Sequence, residues 1–265
     1  MKIQQVIDRI LAYHPALPAG QPTCDGFKSG DPNAECTGIA VSVQASVQVI
    51  REAAKLGANL LIVHEPTFYT HMDPTDWLEG DPVYEQKKAL LQETGIAVWR
   101  DHDHIHAHRP DGIMTGIAAE LGWTDYLEED RGFRSNFLLP ETTPRAIAQA
   151  MKEKLGLNAV RVIGNLDGPV SRVGMVGHII GQEQEITRRI REENIHVAIA
   201  LEALDWTTNS YIRDAGQLGM SKALILGGHL NTEELGMKWA VNWIGELVPE
   251  LPVTFVPSAD LYQYV

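Results

Sequence analysis

The sequence predicts an α/β protein of two lobes, each with a mainly parallel sheet flanked by helices. Three observations lead there. Short apolar runs of strand length alternate with amphipathic stretches of helix length, turn residues separate them, and polar clusters follow directly after several strand runs. In an open α/β sheet, ligands bind beyond the carboxyl ends of strands, so the third observation bears on function as well as fold.

The opening "MKIQQVIDRILAYHP" places Ile3, Val6, Ile7, Ile10 and Leu11 at helical spacing and predicts a first amphipathic helix. It lacks the unbroken apolar segment and small-residue cleavage site of a signal peptide. After the Gly/Pro-rich "GDPNAECTG", the run "GIAVSV" predicts a buried strand. "SVQVIREAAKLG" predicts a helix with Ser46 as N-cap and Gly57 as its stop, and "NLLIV" the next strand. That is a βαβ unit. The loop "THMDPTDWLEGDP" leads to a helix near "VYEQKKALLQETG" and to the strand "IAVWR".

The same grammar continues through helix "PRAIAQAMKEKLG", strands "AVRVIG" and "RVGMVG", helix "QEQEITRRIREEN", strand "HVAIAL", helix "NSYIRDAGQLG" and strand "KALILGG". The segment "NTEELGMKWAVNWIGEL" predicts a helix with Asn231 and Glu234 at capping-box spacing and Leu235, Trp239, Trp243 and Leu247 on one stripe. "PVTFVP" predicts a closing strand. The polar stretch "LEEDRGFRS", residues 127 to 135, is the expected joint. It separates a metal-binding lobe of residues 1–126 plus 229–265 from a second lobe of residues 127–228.

Composition bounds the partners. Twenty-two Lys and Arg against 35 Asp and Glu give a formal charge of −13, which repels nucleic-acid backbones and anionic membranes. No apolar run approaches the roughly 20 residues that cross a bilayer. Cys24 and Cys36 are too few for a disulfide framework and wrongly spaced for a zinc knuckle. A cytoplasmic protein with reduced thiols is expected, without nucleic-acid or membrane partners.

Chemistry collects in three places, each after a strand. His64 and Glu65 follow "NLLIV", "DHDHIHAH" at residues 101–108 follows "IAVWR", and His229 follows "KALILGG" with Glu233 four residues on. Four of the chain's ten histidines stand at alternate positions in the middle cluster, which points to metal or proton chemistry. On a straight strand, the first and third of these would be roughly 13 Å apart, so the segment is expected to bend as it leaves the strand. His104 and His108 are then surplus to a compact cluster. The positive end of the helix after His229 disfavours a nearby cation unless carboxylates compensate, and Glu233 and Glu234 are available. Mixed imidazole and carboxylate ligands suit zinc, manganese, iron, cobalt or nickel.

With "LIVHEPTFY", "HDHIHAH" and "GGHLNTEELG" in this order, the chain resembles the GTP cyclohydrolase I type-two/NIF-three family, whose members carry a dinuclear metal centre in toroidal hexamers. The resemblance implies six ligands for two divalent transition-metal ions: His64, Glu65, His102, His106, His229 and Glu233. Two depart from the family pattern. Glu65 stands where a second histidine is usual and His106 where an aspartate is usual, so the net ligand charge is unchanged if both ligate. Alternatively, Glu65 is a general base beside the metals.

The resulting expectation is a metal-dependent hydrolase that activates water against a small cyclic or nucleotide-like substrate. Phe68, Tyr69, Trp77 and Trp206 are candidates to stack on a planar ring, or else core and subunit contacts. The family name suggests opening of a guanine ring, yet no Gly-rich phosphate loop is present. A noncatalytic metal-binding adaptor is the competing reading, and metal storage, suggested by the surplus histidines, a third. The homo-oligomer, a hexamer, rests on the resemblance alone.

Overall fold

The computed structural model describes residues 1–265. Its early elements are helix α1 (Ile3–Tyr13), strands β1 (Gly26–Ser29) and β2 (Ile39–Ser42), helix α2 (Val47–Lys55), strand β3 (Leu60–Val63), helix α3 (Pro82–Thr94), strand β4 (Ala97–Arg100) and the short helix α4 (Asp103–His106). There follow α5 (Gly112–Leu121), β5 (Leu127–Glu129), β6 (Asn136–Thr142), α6 (Pro144–Lys154), β7 (Arg161–Gly164), β8 (Val170–His178), α7 (Glu183–Glu192), β9 (Val197–Glu202), α8 (Thr208–Gln217) and β10 (Ala223–Leu226). Helix α9 (His229–Leu247) and strand β11 (Val253–Phe255) complete the chain. Two units result: Met1–His108 with Gly236–Ser258, and Arg109–Leu235 with Ala259–Val265. The polar stretch 127–135 carries β5 and lies within the second unit.

The first unit holds a five-stranded sheet in the order β1-β4-β3-β2-β11, parallel except for the edge strand β1. Strands β2, β3 and β4 are buried throughout, which explains why they read as unbroken apolar runs rather than alternations. Ala40, Leu61 and Val98 pack with Val49, Ile50 and Ala53 of α2 and with Tyr84 and Leu91 of α3. The caps are as the sequence predicts: Ser46 Oγ accepts from Val49 N–H at 3.2 Å, and Gly57 takes φ +72° just past α2. In α1 the buried stripe is Ile3, Val6, Ile7 and Ile10, while Leu11 lies outside it and is exposed. Register matters most at the carboxyl end. Val63 pairs with Arg100, so the next residues, His64 and Asp101, emerge side by side.

The second unit holds a six-stranded sheet, β5-β6-β8-β9-β10-β7. It is mixed. Strands β8, β9 and β10 run parallel, whereas β5 with β6, β6 with β8, and β10 with β7 are antiparallel. Val176, Ile186, Ile190, Ala198, Ile212 and Leu224 belong to its core. His178 on β8 is paired with Glu202 on β9, which brings the two strand ends together.

Two expectations for α9 need correction. The helix begins at His229, not after Asn231, and Thr232 N–H donates to Gly228 O at 3.0 Å. Gly228 takes φ +82° and a Cβ on Gly227 would lie 2.3 Å from Thr232 Oγ1, so the glycine pair permits an abrupt strand-to-helix turn that places Asn231 inside the helix. Of the expected stripe Leu235 is buried, whereas Trp239, Trp243 and Leu247 are half-buried; the helix also buries Met237, Ala240 and Ile244, and Trp243 stacks on Tyr13 with centroids 4.7 Å apart. The edge strands β1 and β5, the strand β6 beside the latter, and helix α5 carry too little periodicity to be read from the sequence. No helix is long and apolar enough to cross a membrane.

Lys87 of α3 is buried, donates to Thr67 O at 2.5 Å and lies over the Phe68 and Tyr69 rings. Burial brings its pKa down to about 8. Between pH 8 and 10.5 the unfolded chain therefore binds the proton that the folded chain has released, and Lys87's contribution to stability rises with pH. Paired melts of wild type and Lys87→Met are expected to show the wild type gaining about 3 kcal/mol on the variant across that window. A pH-independent difference would contradict this assignment.

Candidate metal centre

His64 follows β3 and is wholly buried. Its Nδ1 lies 3.0 Å from the carbonyl oxygen of Asp101, just past the end of β4, a contact that fixes the ring. There the chain bends as expected, and the bend is a helix. His102 precedes α4 and His106 ends it, with His106 N–H donating to His102 O at 3.1 Å. A spacing of four puts both imidazoles on one helical side, which a straight strand cannot do within one cluster.

His64 and His102 stack with centroids 4.5 Å apart, and His106 lies edge-on to both at 4.8 and 4.9 Å. One nitrogen from each of the three falls within 4.8 Å of the others. Burial drives the His64 pKa well below the ordinary imidazole value, and proximity to His106 and His102 adds to this. His102 is lowered in the same way, by burial and then by His106. Neutral imidazoles with converging lone pairs are the form that binds metal.

Glu65 is buried, with Oε2 3.5 Å from Arg100 Nη2, an ion pair rather than a hydrogen bond. Arg100 is itself fully buried and donates from Nε to His64 O at 2.7 Å and from Nη1 to His71 O. Asp25 caps α4 from a distance: Oδ1 accepts from the backbone N–H groups of His102 and Asp103, both at 2.8 Å, and Oδ2 from that of His104 at 3.0 Å. The His104 ring also engages Asp25, at 2.6 Å. His108 instead meets His14 at 2.8 Å, and the other nitrogen of His14 lies 3.0 Å from Asp101 Oδ2. The four alternating histidines thus divide into His102 and His106, which join His64, and His104 and His108, which brace the surrounding loops.

Asp103 contacts His102 Nδ1 through Oδ1 at 2.9 Å. Burial alone pushes its carboxyl pKa up, but hydrogen bonds from His102, Thr23 and the Cys24 backbone outweigh that and bring it to about 2. Cys24 and Cys36 are both free and buried. Burial pushes the Cys24 thiol up to about 12, against the opposing pull of Arg100.

In the second unit, His229 Nε2 lies 3.1 Å from Glu233 Oε2 one helical turn along α9. His229 Nδ1 meets Glu202 Oε1 at 2.8 Å, and Glu202 Oε2 meets His178 Nδ1, also at 2.8 Å. Burial opposes ionisation of Glu202, but its contacts with His178 and His229 prevail and hold its pKa at about 2. Of the aromatic candidates, Phe68 is core and packs edge-on against Tyr84, whereas Tyr69, Trp77 and Trp206 are exposed.

These positions acquire a context from known proteins. A model of the family described as Duf34/NIF3 (NGG1p interacting factor 3) matches residues 1–260. The chain belongs to the Duf34/NIF3 family. Among curated proteins it resembles the GTP cyclohydrolase 1 type 2 homolog of Lactococcus lactis, 26% identical over 185 residues, covering 65% of this chain and 69% of that one. The corresponding homolog of Clostridium perfringens is 22% identical over 216 residues, 78% of each chain. The fold matches that of a Bacillus cereus protein related to NIF3, with a TM-score of 0.72, 16% identity and coverage of 100% and 99%.

In this Duf34/NIF3 chain, several residues around the histidines escape a reading of the sequence. Glu202 had a usable signal, because it stands at the carboxyl end of a strand run as the other clusters do. Arg100 is a charge closing an apolar run. Asp25 and His14 have no local signal, since their partners are 77 and 87 residues away. Replacing Arg100 by Met is expected to lower stability by about 3–5 kcal/mol by stranding Glu65, read as a urea-unfolding midpoint. A change below about 1 kcal/mol would show that the pair is not structural.

Proposed function

We propose that this chain is a metal-dependent hydrolase whose His64, Glu65, His102, His106, His229 and Glu233 hold two divalent transition-metal ions. The observation that carries the reading is the trio of clustered imidazoles at the end of the first sheet, His64 buried and His102 and His106 half-buried, with a buried carboxylate beside it. The donor set fits such ions. It offers nitrogen and carboxylate oxygen in the mixture that zinc, manganese, iron, cobalt and nickel accept, and each histidine of known orientation has a partner behind it.

When bound, paired ions of this kind lower the pKa of water toward neutrality and polarise a carbonyl, amidine or phosphoryl group. The chain's own residues do the rest. Asp101 O holds the His64 ring in one orientation, and Asp103 and Glu202 do the same for His102 and His229. Arg100 fixes the Glu65 carboxylate as a ligand; in the alternative arrangement Glu65 stands off the ions and takes a proton from an attacking water. The substrate is a small cyclic or nucleotide-like molecule, and the relatives' name, GTP cyclohydrolase 1 type 2 homolog, makes guanine nucleotides one class to screen. Family resemblance adds a hexameric assembly, measurable by light scattering.

Elemental analysis of protein purified without chelator is expected to find about two transition-metal ions per chain, fewer in Glu65→Ala and in His106→Ala. Chelation is expected to lower the thermal midpoint, and metal added back at about 100 times its Kd to restore roughly 2.7 kcal/mol. Turnover of a screened substrate should vanish in the doubly substituted His64→Ala/His229→Ala protein. Equal activity there would sink the hydrolase reading. Full metal loading without turnover would favour an adaptor.

A further inference from the structure

Beside the histidine trio stands a second donor group of different chemistry. Cys24, His71, His102 and Asp103 each offer one ligand atom, and these atoms all lie within 4.8 Å of one another. We propose that they form a second four-ligand site for a borderline-soft divalent ion such as zinc, sharing only His102 with the site proposed above and not resting on that reading.

The group is built rather than accidental. Asp103 accepts the Cys24 backbone N–H at Oδ2, 3.1 Å, while its Oδ1 lies 3.7 Å from Cys24 Sγ and 2.9 Å from His102 Nδ1. Thiol, carboxylate and imidazole therefore already face one another. His71 is exposed, yet its ring is held edge-on to His102, with centroids 5.1 Å apart, because Arg100 grips its backbone carbonyl. The exposed imidazole gives a cation in solution its way in.

Charge and softness define the ligand. A thiolate and a carboxylate carry two negative charges, enough to neutralise a divalent ion, and two imidazoles complete a tetrahedron. Coordination releases the Cys24 thiol proton to solvent. Metal–ligand bonds of about 2.0–2.3 Å imply tetrahedral edges of about 3.3–3.8 Å, so the group has to contract by roughly 1 Å. His102 serves both groups at once only as an imidazolate, with Nδ1 facing Asp103 and Nε2 on the opposite part of the ring, so filling both releases its ring proton to solvent in addition to that of the Cys24 thiol. Four protein ligands make a closed, structural site. It would tie the loop that carries His71 to the segment before β1 and to the start of α4, three stretches otherwise distant in sequence.

Cobalt(II) is the probe, because thiolate coordination gives a near-ultraviolet charge-transfer band that imidazole and carboxylate do not. Titration of the full-length protein is expected to produce that band, and both Cys24→Ser and His71→Ala are expected to lose it while keeping their far-ultraviolet circular dichroism. His64→Ala/His229→Ala should retain it, which separates this site from the dinuclear one. No band in wild type at saturating cobalt would overturn the proposal. A band that survives His71→Ala, or one lost only with His64 and His229, would overturn it equally.

Discussion

Much of the first unit's functional end depends on one buried guanidinium. Arg100 closes β4 and is wholly shielded from water, so its charge and donors call for partners within the protein. It finds the carbonyl oxygens of His64 and His71 and the carboxylate of Glu65. Those partners sit in the loop after β3, so a residue of one strand dictates the path of the chain leaving its neighbour. The loop is closed further by Asp73, which accepts from Thr67 and Phe68 N–H, and by Lys87 on the Thr67 carbonyl. Tyr69 and Asp73 take positive φ within it. A desolvated cation thereby turns what would be a solvated loop into a rigid support for His64 and Glu65.

The neighbouring segment is held by the converse arrangement, a buried anion that collects donors. α4 has only four residues and little helical stability of its own. Its exposed N–H groups converge on the Asp25 carboxylate, and this cap supplies what length does not. Without the helix, His102 and His106 would be spread along an extended chain. Short helix and remote aspartate together are what convert alternate histidines into a cluster.

The central strands and most long helices were legible because their periodicities are local and their burial is complete. The positions of His64, Glu65, the 101–108 cluster and His229 were legible for a related reason: chemistry at the carboxyl ends of strands follows from the architecture. What escaped depends on long-range geometry. Asp25, His14 and His71 gain meaning only when β3 and β4 align in register, and no short window of sequence contains that alignment. The early start of α9 escaped because Asn231 and Glu234 imitate a capping box, while the glycine pair before them lets the chain turn sooner. Leu11 matched the helical stripe in spacing, yet it falls at the edge of the buried arc.

The partners behind the histidines imply that the donors are not equivalent. His64 is oriented by a neutral backbone carbonyl, whereas His102 and His229 are each oriented by a carboxylate. A carboxylate behind an imidazole stabilises positive charge on the ring and raises its basicity as a ligand, more than a carbonyl does. In the proposed centre His102 and His229 would therefore be the stronger donors and His64 the weaker, more sterically defined one. His64 compensates through burial: wholly desolvated, it has no competing water and is held in the neutral form. Carboxylate contacts thus fix the orientation of His102 and His229, while desolvation holds His64 in the neutral form. Glu202 extends the carboxylate contact outward, since its second oxygen engages the half-exposed His178. Charge drawn from His229 can in this way be shared with a group in contact with solvent, a connection that the wholly buried His64 lacks.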